Sequence, residues 1–260
     1  MHVGEIINRE FITFKPQTPL LKAGKVLESK GRGQALVFDE GKFRGVLSKD
    51  TFIGKSSLVF ETPAEDLQVA DVMEENLEYA GIGDDVFDVA DKLLTQKSVL
   101  DLIPVKEEEQ VVGYVSSKEY TKLFIEKYDN QFKVGQLMQY NPPTVESYVL
   151  LDKVIKELKT TGERKMLVLS GRNLVGIITL KDLSLALFSC SQKNTTHTCC
   201  ELNAEDIMTR NLKTTTPNER AEYAAETMIQ NRISCLPVQN PALEGMLTRK
   251  DFLKAFEIKG

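Results

Sequence analysis

The sequence has little material for acid–base catalysis, because only two of its 260 residues are histidines, His2 and His197. One lies at the amino terminus and the other in a polar stretch. No convincing Ser–His–Asp or Cys–His arrangement accompanies either of them. We therefore expect a protein that is not an enzyme and has no catalytic residues.

Positive charge is not in excess, and no hydrophobic run is long enough to cross a membrane. The chain has 33 lysines and arginines against 38 aspartates and glutamates, a net charge of −5. An acidic chain without a basic face argues against general affinity for nucleic acid or anionic membranes. A bilayer span needs about 20 apolar residues, and the start, MHVGEIINREF, has acids where a secretory signal is basic and then apolar. We expect a cytoplasmic protein that binds neither nucleic acid nor membrane.

Cysteine is scarce and badly spaced for a disulfide framework. The four cysteines are Cys190, Cys199, Cys200 and Cys235, and two of them are adjacent. Reduced thiols are the default in the cytosol. Three of these cysteines lie near His197, but they lack the C-x₂₋₄-C spacing of a zinc knuckle. We predict no metal site, while metal binding by this polar loop stays an open alternative.

What the sequence has instead is a fourfold internal repeat. A glycine, two apolar residues and a hydroxyl residue recur in GVLSKDTF, GYVSSKEY, GIITLKDL and GMLTRKDF, which begin at Gly45, Gly113, Gly176 and Gly245. A second set of apolar residues recurs upstream with nearly the same spacing, at Ile7, Met73, Met138 and Met208. Two independent markers with one period of about 65 residues indicate four copies of one supersecondary unit.

Each repeat has a β-α-β-β-α pattern, which places the repeats at 1–66, 67–129, 130–190 and 204–260, with 191–203 as a linker. In the third repeat, one helix face is formed by Leu151, Val154, Ile155 and Leu158. Two apolar strands follow, at 166–169 and 174–178, separated by a Ser-Gly-Arg-Asn turn that predicts a hairpin. In the fourth repeat, Thr216-Pro217-Asn218-Glu219 has the form of a capping box and predicts a helix that begins there.

The third and fourth repeats end in T-x-x-D, at Thr179–Asp182 and Thr248–Asp251. The ordinary role of this pattern is a helix cap, which satisfies backbone N–H groups of the first turn. A second role is compatible with the first, because a hydroxyl and a carboxylate at a helix start can hydrogen-bond the 2′,3′-diol of a ribose. The preceding glycine is expected to let a ligand approach the backbone closely.

The four units, their T-x-x-D ends and NRISCLPV at 231–238 resemble tandem CBS domains, named after cystathionine β-synthase. In that family two repeats form a Bateman module. The resemblance implies an α+β fold of four β-α-β-β-α repeats, paired into two Bateman modules in a flattened disc. The architecture is similar to that of the gamma subunit of AMP-activated kinase, whose repeats bind adenine nucleotides, and LKTTTPNERA at 212–221 is similar to a segment of that family.

The resemblance also implies a ligand and its contacts. The ligand is an adenosyl compound such as AMP, ADP, ATP or S-adenosylmethionine, and no other cofactor is implied. Ribose contacts are carried over to Thr179, Asp182, Thr248 and Asp251. The adenine slot of the fourth repeat would be lined by Thr216, Ala221, Ile233 and Cys235. Base or phosphate contacts of the third repeat fall on Arg164 and Met166, and phosphate charge would be neutralised by Arg164, Lys165 and Arg232.

The first two repeats depart from the pattern. Repeat two has Ser116 and Glu119, whose longer side chain displaces the carboxylate, and repeat one has the acid one residue early, at Asp50. A helix turns about 100° per residue, so that acid faces elsewhere. We predict that the amino-terminal pair is degenerate or empty. IGKSS at 53–57 lacks the first glycine of a phosphate loop and is set aside.

These observations predict a non-catalytic sensor that binds an adenosyl ligand in its carboxy-terminal pair of repeats. No output domain is evident in the sequence, so the signal would go in trans to an unidentified protein partner, and a homodimer stays open. The alternatives are a ligand-free interaction scaffold, in which every T-x-x-D is only a cap, and, third, a nucleotide-hydrolysing enzyme.

Overall fold

A computed structural model describes residues 1–48, 51, 62, 65–96, 98, 100–192 and 201–258, with 187–192 described as backbone only. Its strands are β1 (Thr13–Phe14), β2 (Gln34–Asp39), β3 (Lys42–Ser48), β4 (Ala80–Gly81), β5 (Leu102–Glu107), β6 (Gln110–Ser116), β7 (Gln139–Tyr140), β8 (Thr144–Glu146), β9 (Lys165–Ser170), β10 (Asn173–Thr179), β11 (Cys235–Gln239) and β12 (Leu243–Thr248). Its α-helices are α1 (Leu20–Ser29), α2 (Val69–Val72), α3 (Val86–Thr95), α4 (Ser117–Lys127), α5 (Val134–Leu137), α6 (Leu151–Thr161), α7 (Leu180–Gln192), α8 (Ala204–Ile207), α9 (Ala221–Gln230) and α10 (Lys254–Ile258). Among the described residues, 3₁₀ helices cover Val3–Glu5 and Arg249–Leu253.

The strands form four small sheets, one for each repeat. In the first three sheets a short strand lies parallel to the first arm of an antiparallel hairpin, in the orders β1-β2-β3, β4-β5-β6 and β8-β9-β10. In the fourth sheet the parallel contact is a single bridge between Thr215 and Val238, and β7 pairs with the outer side of β12. The sequence-based prediction of four α+β repeats is therefore confirmed.

Each repeat buries one face of its first helix against its own sheet. In α6, Leu151, Val154, Ile155 and Leu158 are all buried, as the helical spacing of apolar residues predicts. The same face of α9 is formed by Ala221, Ala224, Ala225 and Met228. The predicted hairpin of the third repeat is also present, because β9 and β10 pair from Asn173↔Ser170 to Thr179↔Lys165.

The start of each repeat pairs with the hairpin of its neighbour rather than with its own hairpin. Asn8, at the start of the first repeat, exchanges backbone hydrogen bonds with Tyr114 of the second, and Glu74, at the start of the second, exchanges them with Val46 of the first. In the second half, β7 pairs with β12, and Thr209 pairs with Ile177. Repeats one and two, and repeats three and four, are thus linked by exchanged leading segments.

The recurring strand glycines are explained by this exchange. A Cβ built on Gly113 would lie 2.5 Å from the carbonyl oxygen of Asn8, and one on Gly245 would lie 2.6 Å from that of Gln139. A Cβ on Gly45 would meet the Glu74 carbonyl oxygen at 2.5 Å, and one on Gly176 would meet the side chain of Met208. The room left by the missing side chain is therefore taken by the neighbouring repeat, and the expectation that it admits a ligand is wrong.

The chain forms two compact units that do not follow the sequence order of the repeats. Unit 1 comprises Met1–Glu10, Glu78–Pro142 and Leu212–Gly260, and unit 2 comprises Phe11–Leu77 and Pro143–Asn211. In unit 1 the bodies of repeats two and four share one hydrophobic core. Its centre is aromatic: Phe124 and Phe252 have ring centroids 4.7 Å apart, and Tyr120 and Tyr128 pack edge-on to Phe256. In unit 2, the described buried residues form one cluster for repeat one and another for repeat three.

The first helix of repeat four begins later than the capping-box pattern predicts. It starts at Ala221, and Thr216–Glu219 forms a turn in which the Glu219 N–H donates to the Thr216 carbonyl. Pairing of Thr215 with Val238 keeps the chain extended up to this turn. Afterwards the Glu219 carbonyl accepts from the Val134 N–H of the exchanged segment. These tertiary hydrogen bonds override the local capping preference.

Candidate functional site

The junction between β12 and the helix that follows is closed by a capping box. The backbone N–H and the hydroxyl of Thr248 both donate to Asp251 Oδ2, each at 2.7 Å. The Asp251 carboxylate is nearly buried, with a side-chain exposed fraction of 10%. A carboxylate has about four acceptor positions, so this cap occupies only one of its two oxygens.

The second oxygen of Asp251 is held by a lysine. Lys254 Nζ lies 2.6 Å from Asp251 Oδ1 and also donates to the Leu137 carbonyl at 3.0 Å. Leu137 belongs to the leading segment of repeat three, which is exchanged into unit 1. Asp251 therefore contacts the neighbouring repeat through one side chain. Lys254 follows Asp251 by three residues, a spacing that allows two helical side chains to meet but does not show from the sequence that they do.

The equivalent junction of repeat three has the same cap and a weaker outer contact. The N–H and hydroxyl of Thr179 donate to Asp182 Oδ2 at 2.8 and 2.6 Å. Asp182 Oδ1 accepts a long hydrogen bond, 3.3 Å, from the hydroxyl of Thr209. Thr209 is exposed and lies in the leading segment of repeat four. This oxygen is consequently the most available of those at the two T-x-x-D junctions.

In repeat two, the acid at this position is fully engaged. Ser116 Oγ donates to Glu119 Oε2 at 2.5 Å, and Asn8 Nδ2 donates to Glu119 Oε1 at 3.2 Å. Glu119 is buried, with 5% of its surface exposed. Both oxygens thus serve the cap and the exchanged amino-terminal segment.

In repeat one, the described residues of the junction are two hydroxyl residues, Ser48 and Thr51. The backbone N–H of Ser48 donates to Thr51 Oγ1 at 3.3 Å, and the N–H of Thr51 donates to Ser48 Oγ at 3.2 Å. Thr51 occupies the position of the acid, as the shifted spacing of Asp50 predicts. Lys49 and Asp50 themselves lie outside the described residues.

Of the residues expected to line the adenine slot of repeat four, Cys235 lies beside the Thr248 cap. Cys235 is the direct cross-strand partner of Thr248 and is buried. Ile233 is half-buried and Ala221 is fully buried in the core, whereas Thr216 is exposed in the turn before α9. Thr215 was missed by the sequence reasoning: it is buried, and its hydroxyl bonds to Glu219.

The expected phosphate-facing residues have different environments. Lys165 is the cross-strand partner of Thr179, and the carbonyl of Arg164 accepts the Leu180 N–H at 3.2 Å. Met166 is buried in the core of repeat three. Arg232 is exposed and has a left-handed backbone, with φ of 55°. Arg164 and Lys165 thus lie beside the repeat-three cap by backbone position.

A half-buried arginine, Arg249, follows the proposed ribose contact Thr248 and was not predicted from the sequence. Burial lowers the pKa of Arg249, and the nearby charges of Asp101, Glu119 and Cys235 oppose that shift. Its Nη2 donates to the Met228 carbonyl at 3.3 Å. An arginine remains protonated even so, and its charge balances acids of repeat two.

The sequence raised two further possibilities, a metal-binding loop and a phosphate-binding loop, and most of their residues lie outside the described ranges. Within the described ranges, no group of three or more His, Cys, Asp or Glu residues could hold a metal ion. His197, Cys199, Cys200 and the 53–57 segment lie outside those ranges, and Cys190 is described as backbone only. None of the described helices has the length and apolar character of a membrane span.

Comparison with known protein families gives four matches along the chain. The model of the CBS domain matches residues 3–57, 69–126, 134–189 and 204–258. The chain belongs to the CBS domain family. Its four CBS repeats correspond to the four sheets described above.

Similar proteins share the arrangement over the full length. The uncharacterized protein MJ1225 of Methanocaldococcus jannaschii is 24% identical over 270 residues, covering 96% of both chains. Its crystal structure, described as that of a proposed archaeal homologue of γ-AMPK, superposes with a TM-score of 0.87 at 23% identity, over 98% of this chain and 100% of that one. An uncharacterized conserved protein from Pyrococcus horikoshii superposes with a TM-score of 0.64 at 18% identity, over 98% and 100%. YlbB of Bacillus subtilis is 30% identical over 122 residues, 46% of this chain and 81% of that protein.

Proposed function

We propose that this CBS protein is a non-catalytic sensor that binds adenosyl ligands at the T-x-x-D junctions of repeats three and four. The observation that supports this most strongly is the difference among the four junctions. Asp182 and Asp251 each use one oxygen for the cap and direct the other to an exposed or flexible donor. The outer oxygen of Glu119 instead accepts from Asn8, which is only partly exposed, and Thr51 brings no carboxylate.

The chemistry of a ribose suits such a carboxylate. An ionised carboxylate only accepts hydrogen bonds, and a 2′,3′-diol offers two O–H donors. The cap fixes the carboxylate in place before the ligand arrives, so little side-chain entropy is lost on binding. Hydrogen bonds to charged groups contribute about 1.5–3 kcal/mol each. In our proposal Thr179 and Asp182, and Thr248 and Asp251, hold the two riboses.

The rest of each ligand is assigned by position. Thr216, Ala221, Ile233 and Cys235 form the adenine slot of repeat four, and Arg164 and Met166 lie nearest the base or phosphate in repeat three. Arg164, Lys165 and Arg232 are the cations for phosphate groups. The repeats extend over 1–66, 67–129, 130–190 and 204–260, with 191–203 as the linker.

Signalling would start from the exchanged segments. Asp182 contacts Thr209, and Asp251 contacts Leu137 through Lys254, so each ribose site borders the leading segment of the neighbouring repeat. A diol that replaces these contacts changes how that segment is held. A ligand shifts a conformational equilibrium only by its differential affinity for the two states. We propose that this shift is read in trans by a partner protein.

Isothermal titration calorimetry with AMP, ADP, ATP and S-adenosylmethionine tests the assignment. We expect Asp251→Ala and Asp182→Ala each to weaken binding at the affected site about tenfold to a hundredfold. Each variant also loses a cap, which costs about 0.5–2 kcal/mol of stability. Glu119→Ala is the matched control, since it loses a cap outside the proposed sites and should bind as the wild type does. Unchanged affinity in both aspartate variants would remove the ribose assignment.

The scaffold alternative makes a different prediction in thermal unfolding. A ligand at a hundred times its dissociation constant stabilises the folded state by about 2.7 kcal/mol. A chain in which every junction is only a cap shows no shift with any adenosyl compound. Turnover of ATP by the purified protein would be required to favour the enzyme alternative.

A further inference from the structure

The two proposed ribose sites differ in one residue that occupies the same position in each repeat. Six residues after the threonine of the cap, repeat four has Lys254 and repeat three has Leu185. Lys254 Nζ is 2.6 Å from Asp251 Oδ1 and its side chain is 40% exposed. Leu185 is 37% exposed, and its hydrocarbon side chain cannot donate a hydrogen bond to Asp182.

This difference concerns the oxygen that a ribose needs. The capping threonine occupies Oδ2 in both repeats, so the outer oxygen, Oδ1, is where a diol can donate. In repeat four a charged donor is already there, and it is tied at its other side to the Leu137 carbonyl. In repeat three, Oδ1 of Asp182 accepts a longer hydrogen bond, 3.3 Å, from the uncharged hydroxyl of Thr209.

We propose that Lys254 is an internal competitor for the ribose diol at repeat four, which makes the two sites unequal and lets repeat three fill first. This inference rests on the proposed function of the two junctions. Lysine suits the role because its ammonium sits on a flexible four-carbon stem. The ion pair is partly exposed, so a ligand can displace it at a modest cost.

Adenosine is the appropriate probe, because it carries the diol but no phosphate that a lysine could attract. The Asp182→Ala background silences repeat three, and calorimetry then reports repeat four alone. There, Lys254→Met should lower the adenosine Kd about two- to fivefold. Lys122→Met, at the equivalent exposed position of repeat two, should leave the Kd unchanged. An unchanged or higher Kd for Lys254→Met would overturn the competitor role.

The reciprocal variant places a lysine in repeat three, where the wild type has Leu185. This test does not require the fold to tolerate an Asp251 that has lost its lysine partner. In the Asp251→Ala background, Leu185→Lys should raise the adenosine Kd of repeat three by a similar factor. An unchanged Kd in this variant, with its fold verified by circular dichroism, would also contradict the proposal. If adenosine binds neither the wild type nor any variant, both the proposed function and the competitor role of Lys254 are contradicted. If Asp251→Ala abolishes binding at repeat four but Lys254→Met has no effect, only the competitor role fails.

Discussion

At the scale of single residues, the four junctions solve the same capping problem with different side chains. Thr248 and Thr179 cap with an aspartate, Ser116 with a glutamate and Ser48 with a threonine. At the two aspartates, the oxygen that is not used by the cap accepts from an exposed side chain, Lys254 or Thr209. The T-x-x-D pattern could be found in the sequence, but Lys254 and Thr209 could not be assigned, because their contacts depend on how the side chains and exchanged segments fold back.

A buried tyrosine gives a residue-scale prediction about pH. Burial, followed by the charge of Asp85, raises the pKa of Tyr120, whose hydroxyl donates to the Val86 carbonyl at 2.7 Å. In the unfolded chain a tyrosine ionises near pH 10. The stability that this group contributes is therefore complete below about pH 10 and is lost as the pH rises further, because only the unfolded state releases its proton there.

In Tyr120→Phe, the free energy of unfolding should fall less steeply as the pH rises above about 10. At neutral pH it should be lower by about 1 kcal/mol, because the hydrogen bond to Val86 is lost. Urea unfolding between pH 8 and pH 11 measures the slope, which a single tyrosine can change by up to about 1.4 kcal/mol per pH unit. Exposed Tyr148 provides the control variant, Tyr148→Phe. Equal slopes for wild type and Tyr120→Phe would show that Tyr120 ionises alike in both states.

At the scale of elements, the exchanged leading segments hold the repeats in pairs. Helix faces and the repeat-three hairpin were predictable, because their apolar spacing is local. The exchange of leading segments was not predictable, since the strand glycine and the methionine that contact each other belong to different repeats. Gly245 lies against Met138, and Gly176 lies against Met208. The predicted helix start at Thr216 was wrong for the same reason, because distant strand pairing keeps that stretch out of the helix.

The strand glycines should show a graded response to alanine. In Gly113→Ala and Gly245→Ala, the new methyl meets a backbone carbonyl, which cannot move aside without shifting the exchanged segment. We expect a loss of about 1–3 kcal/mol for each. Gly176→Ala should cost less, because the Met208 side chain can take another rotamer.

Gly33→Ala is the control, since a methyl there meets nothing within 4 Å and the residue has no positive φ. Denaturant unfolding of the four variants measures the order. A loss for Gly113→Ala no larger than that for Gly33→Ala would contradict the close packing of the exchanged segment.

At the scale of the whole molecule, unit 1 joins repeats that are distant in sequence. Phe124 of repeat two and Phe252 of repeat four are both fully buried and lie in one core. We expect Phe252→Ala to cost about 3–5 kcal/mol. Hydrogen exchange should then accelerate in repeats two and four together, more than in repeats one and three.

The half-buried pair Phe38 and Phe43, within the hairpin of repeat one, is the comparison for this experiment. Phe43→Ala should have a smaller and local effect. A double-mutant cycle for Phe124 and Phe252 should give a coupling of about 0.5–1.5 kcal/mol. Acceleration confined to repeat four in Phe252→Ala would show that the two repeats do not unfold as one.

The central claim is that the third and fourth repeats hold ligand and the first two do not. Native mass spectrometry with the tightest-binding of AMP, ADP, ATP and S-adenosylmethionine counts the ligands directly. The account predicts two ligands on the wild type at saturation, one on Asp182→Ala, one on Asp251→Ala and none on the double variant. A double variant that still carries ligand would place the binding elsewhere and contradict the account.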